Sequence, residues 1–159
     1  MIFPTTFIVA LFLAHIARAA PQACHDPITY ESSSTLDKQY NLAGPGPVIP
    51  PYKAFYNSVY DNGNNPLTLV ACSNLKFPHF KNVPLFPNIG AAPNTTFGSK
   101  KCGAIWKITN KANGESIHFT AIDDATAGFV LSLEAYEKLG GKLATGHVNV
   151  EAQIVHEFY

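Results

Sequence analysis

One arginine, Arg18, stands in 159 residues, beside one methionine, one tryptophan and three cysteines. After it the chain carries ten lysines, eleven acids and no guanidinium. Bidentate contacts to phosphates and guanine edges rely on arginine, and a balance one charge on the acidic side gives no counterion-release drive toward a polyanion. Nucleic acid is therefore excluded as a partner, and a neutral one fits better. Charged residues make up only 14% of the chain and hydrophobic ones 47%, which excludes a disordered polyampholyte. An apolar run does occur at Phe3 to Ile16, but its length of about 14 residues falls short of the roughly 20 that span a bilayer.

Chemical motifs are equally sparse. The six histidines, His15, His25, His79, His118, His147 and His156, form no HExxH, no His-x-His and no Cys/His pair at zinc spacing, so no metal is expected. Gly140-Gly141-Lys142-Leu143 lacks the spacing and the Ser/Thr of a phosphate loop, and no GxSxG is present. No cofactor and no nucleophilic catalytic residue are expected.

What the chain does contain falls into three parts. The apolar run ends in Ala17-Arg18-Ala19-Ala20, a small-x-small pattern that reads as a signal peptide, residues 1–19, cut after Ala19. Residues 20–52 read as an arm or linker. Glu31-Ser32-Ser33-Ser34-Thr35 is polar, and Gly44-Pro45-Gly46-Pro47-Val48-Ile49-Pro50-Pro51 favours an extended, polyproline-like path. From residue 53 to 159 short apolar runs alternate with turns, the pattern of a small β-rich domain.

Six strands are expected: Ala54–Asn57, Leu67–Ala71, Ile105–Thr109, Ser116–Ile122, Phe129–Leu131 and Val148–Val155. Asn113-Gly114 signals a hairpin between the third and fourth, and the last alternates cleanly, with Val148, Val150, Ala152 and Ile154 on one face. One helix is expected after Ser132, an N-cap, with Glu134 in its first turn, Lys138 in its last and Gly140-Gly141 ending it. Ser73 to Lys101, with four prolines, reads as mostly irregular.

Asp123 and Asp124 follow the fourth strand, where loops form sites. Adjacent strand residues point to opposite faces, so the two cannot act together as the paired carboxylates of a glycosidase, which lie about 5 to 9.5 Å apart across a substrate. Taken alone, Asp123 reads as a turn or capping residue. Asn94-Thr95-Thr96 is the N-x-Ser/Thr sequon, and marks Asn94 for glycosylation in a secreted chain. Three cysteines leave one over if two bridge. Cys72 and Cys102 lie within the β-rich part and would close a loop of about 30 residues, stabilising by roughly 3 to 4 kcal/mol. Cys24 is then a free thiol, a link between two chains, or a residue lost in further processing, so that monomer and Cys24-linked dimer are both open.

Val70-Ala71-Cys72-Ser73-Asn74, then Val83-Pro84-Leu85-Phe86-Pro87-Asn88-Ile89-Gly90, then Lys101-Cys102-Gly103-Ala104-Ile105-Trp106 resemble the cerato-platanin family of small secreted fungal proteins. Tyr56, Tyr60-Asp61-Asn62, Ala121-Ile122-Asp123, Ala127-Gly128-Phe129 and Gly146-His147-Val148 continue the likeness in order, over about residues 54 to 155. The resemblance implies a mainly β fold, a six-stranded double-psi β-barrel akin to that of expansins, with one or two short helices. It implies a non-catalytic protein that binds chitin-type N-acetylglucosamine oligomers in a shallow groove, loosens cellulosic material and elicits plant defence, with a plant surface receptor as a further partner. Carried over singly, the sugar-binding residues are Tyr56, Asn57 in the position of the family's acid after that tyrosine, Ser73, Asn88 and Asp123. Trp106 matches the family's tryptophan and is read either as core or as groove lining.

The departures are specific. The family's usual second cysteine of Cys-Gly-x-Cys is Ile105, and no cysteine follows Cys102. In the family those two pair with each other, so their joint loss supports a Cys72–Cys102 bridge. Stability should fall by a few kcal/mol against a two-bridge relative, less if Ile105 is buried. Asn57 replaces an acid, Ser73–Val83 is short, and residues 21–52 have no family counterpart. Two alternatives to the sugar-binding reading stay open: a lytic, expansin-like enzyme with Asp123 as general acid, and an elicitor or surface-assembling protein that binds no sugar. A second carboxylate for the enzyme would have to be Asp61 or Glu115, both in turns.

Overall fold

Alternation of apolar and polar residues builds most of the barrel wall. The structure is a computed structural model and describes residues 49–157. The signal-peptide segment, nearly all of the 20–52 arm and Cys24 lie outside the described residues. Six strands, β1 (Ile49–Tyr56), β2 (Ile89–Ala92), β3 (Ile105–Asn110), β4 (Ser116–Asp124), β5 (Phe129–Leu131) and β6 (Val148–His156), close into a barrel in the order β1-β5-β2-β4-β3-β6. The pairs β1/β5 and β2/β4 are parallel, and the other four are antiparallel. A mainly β, closed six-stranded barrel with few short helices is thus the observed fold.

Inward residues of β6 are those that the alternation selects: Val148, Val150, Ala152 and Ile154 join the barrel core. Trp106 is 1% exposed and belongs to that core, not to a groove. Phe129 sits at its centre, with Trp106, Tyr52 and Phe119 rings at 5.2, 5.5 and 5.8 Å in edge-on contact, a favoured aromatic geometry. Helix α1 (Leu133–Lys138) starts where expected: the Ser132 hydroxyl accepts the Ala135 N–H at 3.3 Å and itself donates to the Pro87 carbonyl.

One strand expectation fails, and the count of six survives because an unexpected strand takes its place. Leu67–Ala71 is not a strand; Leu67–Leu69 is a 3-10 turn after Pro66, and Val70 N–H returns to the Leu67 carbonyl. Its buried residues Leu67 and Val70 are three apart, the spacing that a 3-10 turn brings to one side. The strand that replaces it is β2, inside the stretch expected to be irregular. All four of its residues are buried, so no alternation marks it, as for any strand covered on both faces. Gly90 is required there because a Cβ would collide with the Val130 carbonyl oxygen. β1 also begins earlier than expected, at Ile49. Pro50-Pro51 fall where its register against β6 shifts and where β5 does not yet pair with it, so their missing N–H groups break no ladder on that side.

Outside the barrel, the segments on either side of β2, residues 57–88 and 93–104, form a layer over β2 and β4. Tyr60, Leu67, Phe80 and Val83 pack on the outward side chains Ile89, Ala91 and Ile122 in a second apolar cluster. Cys72 and Cys102 are bridged, 30 residues apart, and clamp the layer. Ile105, in the place of the family's cysteine, is 1% exposed and packs with Leu85 and Val155, so burial replaces part of what a second bridge would supply.

Candidate functional site

β4 ends in two carboxylates, and each fastens a different loop to the barrel. Asp123 Oδ1 accepts the backbone N–H of Ala71 and of Asp124, both at 2.9 Å, and its Oδ2 accepts the Tyr60 hydroxyl at 3.0 Å. Asp124 Oδ1 accepts the Thr95 N–H at 3.0 Å. A carboxylate has about four lone-pair sites, so Asp123 keeps one, on Oδ2, for an outside donor. Tyr60 is buried; burial first, then the charge of Asp123 and the hydrogen bond to it, raises the phenol far above its ordinary value. Its hydroxyl therefore remains a donor and fixes the carboxylate.

A second pair lies one residue on. Asp61 Oδ2 accepts the Tyr56 hydroxyl at 2.8 Å, and Oδ1 accepts the Leu133 N–H at the start of α1 at 2.7 Å. The hydrogen bond to Asp61 is the chief reason that the Tyr56 phenol is raised. Consecutive residues Tyr60 and Asp61 thus tie the ends of β1 and β4 and the start of α1 into one frame.

The expected site residues do not all share this frame. Tyr56 closes β1 opposite Leu131, Leu131 pairs with Gly90, and Gly90 pairs with Ala121, so Tyr56 and the end of β4 are three strand spacings apart, roughly 14 Å. Asn57 is exposed; its Oδ1 caps the following 3-10 turn by accepting the Val59 N–H at 3.0 Å. Ser73 is exposed and follows Cys72, whose N–H donates to the Ile122 carbonyl beside Asp123. These four residues lie along the side of the barrel formed by β1, β5, β2 and β4. Asn88 does not join them: it is 0% exposed, and neither atom of its side-chain amide has a partner. A sugar at the surface has no Asn88 atom to meet. Asn94 is exposed, in the turn after β2.

Neither candidate second carboxylate stands free across from Asp123. Asp61 accepts one hydrogen bond on each oxygen and so serves as a strut between Tyr56 and the start of α1. Glu115 precedes β4, eight residues before Asp123, and at about 3.3 Å per residue lies roughly 26 Å away along the strand. Among the described residues, no three His, Cys, Asp or Glu side chains gather as a metal centre needs. A concavity on the barrel flank, lined by Lys107, Thr109, Glu151 and Gln153, is also remote: its strand partners His118 and Ser116 lie five and seven residues before Asp123.

Tyr60 and Phe97 escaped the sequence reading. Tyr60 has the family motif Tyr60-Asp61-Asn62 as its only signal, and its partner is 63 residues away. Phe97 is 69% exposed on a loop held beside the site by the Asp124–Thr95 bond and by Gly98 N–H donating to Asn74 Oδ1 at 3.3 Å. An exposed phenylalanine in a loop has no pattern that sets it apart.

Comparison with known proteins agrees with the fold. The family model described as Cerato-platanin matches residues 53–157. Cerato-platanin of Ceratocystis fimbriata f. sp. platani is 37% identical over 87 residues, which are 50% of this chain and 64% of that protein, so the chain spans just under two thirds of this relative. Cerato-platanin 2 from M. perniciosa has a similar crystal structure, with TM-score 0.60 and 33% identity over 67% of this chain and 94% of that one. The solution structure of the fungal elicitor Cerato-Platanin gives TM-score 0.59 and 33% identity, covering 65% of this chain and 92% of the other.

Proposed function

Because the chain belongs to the cerato-platanin family, we propose that it is a secreted, non-catalytic cell-wall protein whose Asp123 end of the barrel binds chitin-type N-acetylglucosamine oligosaccharides, with cellulose oligomers as a second ligand of the same kind. The observation that carries this is the state of Asp123: three donors hold it still, and one acceptor site remains for a sugar hydroxyl or acetamide N–H. Ser73 supplies a donor and acceptor beside it, Tyr56 and Asn57 lie at the far side, and the exposed Phe97 ring offers the apolar surface against which a pyranose face can stack. A general acid would instead need a proton on an oxygen already turned toward donors, and a second carboxylate opposite it. Extracellular location and the signal peptide are parts of the same proposal.

Titration calorimetry with N-acetylglucosamine and cellulose oligomers, with mass spectrometry of the oligomers afterwards, tests it. Saturable binding with intact oligomers, weakened about tenfold or more by Asp123→Asn through loss of a charge-assisted hydrogen bond, is expected. New shorter oligomers that vanish in the variant would instead make it an enzyme. A second reading, an elicitor recognised by a plant surface receptor, is favoured by the similarity to a protein solved as a fungal elicitor. A defence response on plant tissue that Asp123→Asn leaves unchanged would separate that role from sugar binding.

A further inference from the structure

The sequon at Asn94 stands next to the proposed binding end. Asn94 leaves β2 in the turn after Ala92 and Pro93, is exposed, and has φ of 59°, a left-handed conformation that asparagine tolerates better than most residues. The next residue, Thr95, donates its N–H to Asp124 Oδ1 at 3.0 Å. Ala92 also pairs with Asp124, and its carbonyl accepts the Ala125 N–H at 3.1 Å. From standard bond lengths, the Cα atoms of Asn94 and Asp123 are therefore no more than about 13 Å apart. Thr96, the third sequon residue, is exposed as well.

We propose that Asn94 carries an N-linked glycan and that this glycan gates the Asp123 end by competing in cis with free oligosaccharide. The inference rests on the reading of that end as a site for N-acetylglucosamine oligomers. In the covalent step the Asn94 side-chain nitrogen bonds to C1 of the first N-acetylglucosamine of a lipid-diphosphate-linked oligosaccharide. The C1–O bond to the diphosphate breaks, the carrier leaves with the electron pair, one amide proton is released, and nothing is oxidised or reduced. The stem so attached begins with β-linked N-acetylglucosamine, the same chemistry as the proposed ligand, and a tethered ligand of matching span acts at an effective concentration near millimolar. Binding of free oligomer is then weakened without any change in the barrel.

The experiment compares three forms of the full chain secreted from a eukaryotic host: the glycosylated protein, the same protein trimmed enzymatically to one N-acetylglucosamine, and Thr96→Ala, which removes the sequon while keeping Asn94. The described polar contacts of Thr96, with the Ser99 N–H and with Cys102 Sγ, both meet its backbone carbonyl, so this variant should fold. Asn94→Asp, which suits the same left-handed backbone, repeats the test by another route. The probe is the β1,4-linked N-acetylglucosamine tetramer, titrated by calorimetry after intact mass gives the occupancy of Asn94. Affinity should rise about threefold or more from the glycosylated form to Thr96→Ala, with the trimmed form between. An unmodified Asn94, or equal affinities for all forms, overturns the gate while leaving the binding reading intact. Absence of binding by Thr96→Ala overturns both.

Discussion

The barrel and the layer over it are held by different means. Barrel order is distributed: every strand pairs on both sides, and one apolar cluster fills the interior. Residues 57–104 contribute only β2 to the sheet, and the rest, the layer, is tied to the barrel by separate contacts: the Asp123 and Asp124 carboxylates, the Thr120 hydroxyl, backbone bonds from Cys72 and Gly103, and the apolar cluster that includes Phe80 and Ile122, with one disulfide joining Cys72 to Cys102 inside the layer. Distributed order tolerates loss of a single surface contact. Order by tethers places side chains accurately around a few anchors, and the Asp123 end is built from that layer. The largest effect in the barrel should come from Phe129→Ala, which empties the space between Trp106, Phe119 and Tyr52. We expect a loss of about 3 to 5 kcal/mol in denaturant unfolding, felt across barrel and layer alike. A loss confined to the layer would break the contrast.

Removing the bridge with Cys72→Ser and Cys102→Ser should come next, at about 3 to 4 kcal/mol for a loop of this length. Here the regions should part. Hydrogen exchange is expected to quicken first in residues 57–104, while β3, β4 and β6 stay protected. Uniform quickening would mean that the layer and the barrel form one cooperative unit.

The same division decides what could be read from the sequence. β6 was legible because Val148, Val150, Ala152 and Ile154 alternate with polar residues, and α1 because Ser132 and Gly140 mark its ends. β2 was not, because burial on both faces removes the alternation and because Gly90, which looks like a breaker, is the residue that the close approach of Val130 demands. Leu67–Ala71 was misread for the opposite reason: an apolar run bounded by turns satisfies the strand pattern, but a 3-10 turn buries Leu67 and Val70 equally well. The site divides likewise. Asp123 could be named from its place at a strand end and from the family motif. Its partners Tyr60 and Ala71, 63 and 52 residues distant, are fixed only when the layer folds back, and no local pattern records them. Asn88 shows the converse: a motif can carry a residue into the expected site when burial keeps it out.

Tyr60 sharpens the contrast through pH. Its phenol is raised in the folded protein, so above the unfolded value of about 10 the unfolded chain loses this proton while the folded one keeps it. The unfolded state then binds fewer protons, and stability falls with a slope that approaches about 1.4 kcal/mol per pH unit from this group. The contribution is complete below pH about 10 and declines above it. Tyr60→Phe removes that share of the alkaline loss, while at neutral pH it costs about 1 kcal/mol for the hydrogen bond to Asp123. Unfolding of both proteins measured from pH 8 to 11 should therefore give curves that converge as pH rises. Parallel curves would show that Tyr60 is not the buried donor that holds Asp123.

The smallest effect should come from a carboxylate on the barrel wall. Glu151 pairs with Lys111 at 3.2 Å, with both side chains near half exposure. Water screens such a pair and its side chains give up freedom to form it, so Glu151→Gln should change stability by no more than about 0.5 kcal/mol and leave oligosaccharide binding unaltered. Asp123, less exposed and bonded to two segments distant in sequence, holds structure that its loss would release. Both residues are acids on strands of the same barrel, and only the neighbours that each one fastens differ. A chemical-denaturation series with Glu151→Gln beside Asp123→Asn measures that difference directly, and equal losses would show that the tethers carry no more than an ordinary surface charge.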